Sequence, residues 1–180
     1  MHLKVIQLIE KPERTERLSI QKLTEKDGEF ICRLVNSPGW IKYIGDRNVH
    51  NALEAVRMLK ERYISSYEKY GFGMYRISLI ASGHPIGICG FVQREYLDEP
   101  DIGFAILPEY ARNGYTFEAS LRLIRMISEK LGIRDLYGVT AENNTGSRNL
   151  LEKLGFRYEK PMAIPGSDIT GHIFYKNLKR

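Results

Sequence analysis

Residues Leu107–Ser120, LPEYARNGYTFEAS, decide how this chain is organised. They follow DIGFAI, a short apolar run suited to a strand, and lead into LRLIRMISEKL. There Leu123, Ile124, Ile127 and Leu131 share one helical stripe with Ser120. A plain strand-to-helix turn needs a glycine or a capping residue, whereas this one carries Pro108, Arg112 and Gly114. Pro108 closes the strand because it cannot donate to a ladder. Arg112, Asn113, Gly114, Tyr115 and Thr116 would then present successive backbone N–H groups at a helix N-terminus. Free donors and a partial positive charge there suit a phosphate or pyrophosphate. Gly114 would let the backbone approach the anion, and Arg112 would add a formal charge. The same residues also suit a simple left-handed turn with a solvent-facing arginine, and the turn alone does not choose between the two.

Upstream, RLSIQKLT alternates apolar and polar residues and reads as a strand. EKDGEFICRLVNS follows as a helix burying Phe30, Leu34 and Val35, stopped by SPGW. The connection PGWIKYIGDRNVH leads to a second helix, with Asn51 as N-cap and Glu54 completing a capping box. Its residues Ala52, Ala55, Val56, Leu59, Tyr63, Tyr67 and Tyr70 fall at helical spacing, which assigns the tyrosines to packing. FGMYRISLIA and IGICGFVQREYL flank the turn SGHP as a hairpin. Downstream, IRDLYGVTA is a further central strand and GSRNLLEKLG a short helix ended by Gly155. FRYEK and HIFYKNL close the chain as strands. Hairpins first and a strand–helix–strand crossover later give an α/β (α+β) arrangement: a mixed, mostly antiparallel central sheet with helices on both faces.

Composition fits this order. A chain of 180 residues, 43% hydrophobic and 27% charged, is in the ordinary range for one globular domain. We read residues 1–180 as that domain, with 1–15 as an N-terminal extension. No apolar run approaches membrane-spanning length, and no signal peptide is visible. Cys32 and Cys89 lie far apart without metal-ligand spacing, so no metal is expected and a reduced, cytoplasmic setting is the natural reading. The net charge of +5 is spread rather than blocked, and no RNA- or DNA-binding motif accompanies it. Neither nucleic acid nor a membrane is expected as a partner, while a homodimer stays open.

The bound anion can be narrowed. A nucleoside-triphosphate loop would need Gly-Lys-Ser/Thr, and a dinucleotide fingerprint would need Gly-x-Gly-x-x-Gly after the first strand. Both are missing. A turn between the third strand of a hairpin-led sheet and a long helix points instead to coenzyme A.

Three pieces carry a family resemblance: IGFAILPEYARNGYTFEA, VTAENNTGSRNLLEKLGF and ERLSIQKLTEKDGEFICRLV. In order and spacing they resemble the GNAT superfamily of N-acetyltransferases, especially its ribosomal-protein acetyltransferase branch, over about residues 16 to 178. The resemblance implies acetyl-CoA as co-substrate. It sets the family's pyrophosphate loop on Ala111, Gly114 and Thr116, with the leading basic residue moved to Arg112. It gives Asn144 and Ser147 to coenzyme A, although the same NNTGS also suits a helix cap. It leaves backbone groups around Phe104, Ala105 and Ile106 free for pantetheine, which can pair with them like another strand. Trp40, Tyr43 and Arg47 fall in the connection that lines the acceptor pocket in relatives. Many relatives carry a tyrosine general acid where this chain has Leu151, which leaves the acid unassigned.

The implied reaction is direct attack of a primary amine, a protein N-terminus or a small molecule, on the thioester in a ternary complex. An α-amine of pKa ~7.7–8.0 needs only modest help to lose its proton, whereas a lysine at ~10.4 needs a base. Asp101 is the first candidate base, with Glu95 and Tyr96 behind it. Glu118 is explained by the helix dipole, and His84 and His172 by surface positions. The competing readings are a non-catalytic acyl-CoA sensor, kept open by Leu151, and a nucleic-acid-binding domain supported by net charge alone.

Overall fold

The computed structural model describes residues 5–165 and 170–178. An eight-stranded sheet runs β1-β2-β3-β4-β5-β6-β8-β7. The first five strands are β1 (Glu13–Arg14), β2 (Leu18–Lys22), β3 (Met74–Leu79), β4 (Pro85–Val92) and β5 (Asp101–Ile106). The others are β6 (Asp135–Ala141), β7 (Arg157–Ala163) and β8 (Thr170–Asn177). All neighbours are antiparallel except β5 and β6, which the crossover helix α5 (Tyr115–Leu131) joins in parallel. The mixed, mostly antiparallel sheet read from the sequence is the sheet observed.

Strand alternation sends residues to two cores, one on each face. Tyr75 and Ile77 of β3 and Cys89 and Phe91 of β4 meet Leu123, Met126 and Ile127 of α5. Met74 and Ile88 point the other way. They join Ile31, Leu34 and Val35 of α1 (Gly28–Val35), Trp40 of α2 (Pro38–Tyr43) and Ala55 of α3 (Ala52–Met58). Ile31, rather than Phe30, is the fully buried residue of α1, since 31, 34 and 35 form the inward i, i+3, i+4 set. SPGW does not merely stop α1: Ser37 caps and Pro38 opens α2, because proline suits the first helical position.

The second long helix is continuous but not uniform. A π-helical turn, Leu59–Ile64, separates α3 from α4 (Ser65–Tyr70). Asn51 caps α3 by accepting from the Glu54 amide at 3.0 Å. Glu54 closes only part of a capping box, since its carboxylate accepts from the His50 amide at 2.7 Å and from the Asn51 side chain at 2.9 Å. α6 (Thr145–Lys153) covers β6, where Leu151 packs so tightly on Gly138 that a Cβ there would lie 2.6 Å from a Leu151 methyl. The N-terminal segment is tied in as well: Leu8 and Ile9 are buried in the core of the α5 face. No helix among the described residues is long and apolar enough to cross a membrane.

Tyr67 does more than pack. It stacks on Tyr75 with ring centroids 5.4 Å apart, accepts from the Leu23 amide at 3.0 Å and donates to the Met74 carbonyl. A Tyr67→Phe protein keeps the ring and strands both backbone groups in a buried site. It is expected to lose about 1–3 kcal/mol of unfolding free energy in urea titration, with an unchanged m-value. A loss under a few tenths would mean that water replaces the hydroxyl.

Candidate active site

β5 and β6 share one register pair, Asp101 with Tyr137, and beyond it they part. Direction along β5 follows from two hydrogen bonds: Leu107 N donates to Ile86 O of β4 at 2.9 Å, and Tyr137 N of β6 donates to Pro100 O at 2.9 Å. Backbone groups alternate along a strand. The amides of residues 101, 103 and 105 therefore face β4, and those of residues 102, 104 and 106 face β6. The Ile102 amide is taken by Tyr137 in the shared register pair, so those of Phe104 and Ile106 open onto the gap. Of the residues expected to offer backbone to a pantetheine, Phe104 and Ile106 are oriented to do so. Ala105 is not: its amide belongs to the β4 ladder, so it lines the gap by side chain alone.

Asp101 sits where the strands separate. It is fully buried, with Oδ1 accepting from the Val139 amide at 2.9 Å and Oδ2 from Arg94 Nε at 2.5 Å. A side chain thus fills the rung that the backbone no longer makes. Burial pushes the Asp101 carboxyl up, and Arg94 and the Val139 N–H oppose this without cancelling it.

At the far end of β5, a short 3-10 turn (Pro108–Tyr110) leads into the loop before α5. Arg112 has φ +62° and Gly114, the N-cap of α5, has φ +78°. Left-handed residues at these positions turn successive N–H groups inward, the geometry of an anion nest. The left-handed turn is thus the observed one, and its conformation is compatible with the anion-binding reading. Asn113 serves differently from expectation: its side chain donates to Tyr110 O at 3.2 Å and Ala111 O at 3.0 Å, bracing the loop from within.

The loop is also held from outside, by residues the sequence reading passed over. Arg17 Nη1 donates to Asn113 O at 3.0 Å, and its guanidinium lies 4.6 Å from the Tyr115 ring centre. Glu118 accepts from Thr15 Oγ1 at 2.5 Å, from the Arg17 amide at 2.9 Å and from Arg17 Nε at 2.7 Å. Burial raises Glu118, but these donors outweigh it and hold its carboxyl below the usual range. Its position in the first helical turn is thus fixed by a clamp, not by the dipole alone. Only the sequence separation of Thr15 and Arg17 from Glu118 hid the pairing.

One cavity of about 1270 Å³ joins these parts. It runs along Ala111, Arg112, Gly114, Tyr115 and Thr116, through the gap between β5 and β6, and past Asn144 and Ser147. Asn144 Oδ1 caps α6 by accepting from the Ser147 amide at 3.1 Å, a role that does not use its Nδ2 group. Beyond Asp101 the same cavity reaches Trp40, Tyr43 and Arg47, with Arg62, Tyr63, Arg94 and Tyr96 beside them. Glu95 is exposed and does not line it: β4 ends at Val92, and Glu95 lies in the turn that follows, where the Leu97 amide donates to Arg94 O at 3.2 Å. Leu151, 1% exposed, stands where relatives carry a tyrosine and offers no proton. His84 is exposed, and His172 lies on β8 with Nε2 3.8 Å from Glu142.

These residues fit coenzyme A. A nest at a helix N-terminus suits a pyrophosphate, and a strand edge with unpaired amides suits the two amides of pantetheine.

Comparison with known proteins agrees. The family described as acetyltransferase (GNAT) domain matches residues 17–157. The uncharacterized N-acetyltransferase YoaA of Bacillus subtilis (strain 168) is 28% identical over 147 residues, covering 81% of this chain and 82% of that protein. An acetyltransferase structure from Agrobacterium tumefaciens str. C58 superposes with a TM-score of 0.77 at 21% identity, covering 92% of this chain and 94% of the other. The ribosomal-protein-S5-alanine acetyltransferase of Vibrio fischeri superposes with a TM-score of 0.77 at 14% identity, over 93% and 97%. The chain belongs to the GNAT family of N-acetyltransferases, which move an acetyl group from acetyl-CoA to an amine acceptor.

Proposed function

We propose that the protein acetylates a primary amine, on a protein N-terminus or a small molecule, by direct attack in a ternary complex. The observation that carries this reading is the continuity of one cavity from the nest before α5, along the open edge of β5, to the aromatic and basic wall beyond Asp101. Two reactants can enter from opposite ends and meet near Asp101, which supplies the proximity such a reaction needs. The backbone donors of Arg112 to Thr116 hold the pyrophosphate, with the Arg112 guanidinium beside them. The amides of Phe104 and Ile106 fix the pantetheine arm, and Asn144 Nδ2 adds a donor. One of these N–H groups, that of Phe104 being nearer the crotch, polarises the thioester carbonyl.

Asp101 is the group we assign to receive the acceptor's proton. Burial raises its proton affinity, and it lines the cavity where the strands part. Arg94 keeps the carboxylate oriented, and a carboxylate with two donors bound still has lone pairs to offer. A binding-only sensor remains the second reading, favoured by one observation: no tyrosine occupies the buried position of Leu151.

Gly114→Val tests the cofactor end. A β-branched residue at φ +78° is strained and blocks the approach of a phosphate. Acetyl-CoA affinity by calorimetry is expected to fall tenfold or more, by the order of 1.4 kcal/mol, while the fold persists. Arg112→Ala costs less, because backbone donors carry most of the contact. Unchanged affinity in a folded Gly114→Val protein would move the cofactor elsewhere.

Asp101→Asn tests the base. Turnover is expected to fall about 10²–10⁴-fold with acetyl-CoA affinity little changed. Stability falls too, since Arg94 loses its partner, so activity must be read well below the melting temperature. A proton-accepting role makes the loss shrink as pH rises and the amine deprotonates by itself. A loss constant with pH would instead make Asp101 a positioning residue.

A further inference from the structure

The acceptor end of the cavity is lined by donors that lack matching acceptors. Arg47, from the connection after α2, and Arg62, from the π-helical turn, both face it. Among the described residues neither has a carboxylate within ion-pair distance, and the one hydrogen bond of Arg47 is a long 3.4 Å contact to Ile44 O. Two acids are close by in the lining, and both are engaged. Asp101 holds Arg94, and Asp46 accepts from the Asn48 amide at 2.8 Å. Trp40, 5% exposed, is also in the lining, and its buried indole N–H has no partner among the described residues. Burial and the like charges of Arg62 and Arg94 all disfavour the Arg47 cation. Holding such a wall costs free energy that an incoming anion would return.

We propose that the acceptor amine carries a carboxylate and that Arg47 and Arg62 bind that carboxylate while the amine is presented to the thioester near Asp101. This inference rests on the acetyltransferase reading above and names its substrate class. Guanidinium forks match a carboxylate in two parallel hydrogen bonds; both arginines are exposed at the mouth of the cavity, with the rings of Tyr43 and Tyr63 in the same lining. The wall suits an acidic amine and disfavours a polyamine or a lysine-rich segment, whose charge it would repel.

Two matched pairs of probes separate the sources of the carboxylate. Alanine and alaninamide differ in the α-carboxylate. The C-terminally amidated peptides Asp-Ala-Ala and Asn-Ala-Ala differ in a side-chain carboxylate next to the reacting amine. Each is assayed for thiol release with acetyl-CoA, and each is titrated calorimetrically onto the coenzyme A-bound protein. The acidic member of at least one pair is expected to be favoured about tenfold or more, the scale of one charge-assisted pair. An Arg47→Gln/Arg62→Gln protein should lose that preference while binding coenzyme A as before. Equal behaviour within both pairs overturns the proposal, as does a preference that survives in the double variant. Charge-dependent binding without thiol release would keep the carboxylate site and sink the acetyltransfer reading instead.

Discussion

The rest of the site depends on a side chain doing the work of a backbone. Parallel strands that diverge leave amides and carbonyls without partners, and in a buried sheet each such group costs free energy. At the branch between β5 and β6, Asp101 accepts from the Val139 amide and so closes the last rung before the gap. Arg94 then neutralises the charge this brings into the core. With the branch point secured, the gap beyond can stay open, with the amides of Phe104 and Ile106 directed into it. An aspartate here closes the branch point and lines the cavity with one carboxylate. A residue bound so firmly is well placed and restrained in what else it can do.

The opposite end of the cavity is secured by different means. The nest before α5 is an exposed loop whose inward-facing donors repel one another. Asn113 ties it to its own start, and Arg17 and Thr15 fasten it through Glu118 to the segment that enters β2. The loop therefore owes its shape to residues about a hundred positions earlier. This division is physically sensible: the branch point is buried and uses a paired charge, whereas the loop is solvated and uses several cooperating hydrogen bonds.

Much of the fold was legible because the signals were local. The alternation of β2, the turn between β3 and β4, the apolar run of β5, the stripe on α5 and the glycine preceding it each state their element without help from elsewhere. The cofactor turn was legible for the same reason. Asp101 was picked out as a carboxylate at a strand start, but its ion pair with Arg94 depends on how β4 and β5 are aligned across the connection between them. Glu95 falls outside the cavity because the strand read through QREYL ends at Val92, where the chain turns, and nothing local in that run marks the stop. Arg62 and Lys153, whose ammonium lies 4.4 Å from the Phe117 ring centre, reach the cavity wall, and Arg17 the loop beside it, only through tertiary packing. No periodicity in the chain marks them.

The π-helical turn at Leu59–Ile64 bears on how this chain can vary in length. Such a turn holds one residue more than the α-helix it interrupts, so everything past it is rotated by about 100° relative to an unbroken helix. Arg62 and Tyr63 face the cavity on the turn itself, and Tyr67 reaches Tyr75 one turn later. Removing a single residue from this stretch would regularise the helix locally and misalign the two faces with each other. Either the acceptor wall or the buried tyrosine pair could keep its orientation, but not both. Substitutions in this segment are constrained residue by residue, whereas its length is constrained as a whole, like the reading frame of a gear.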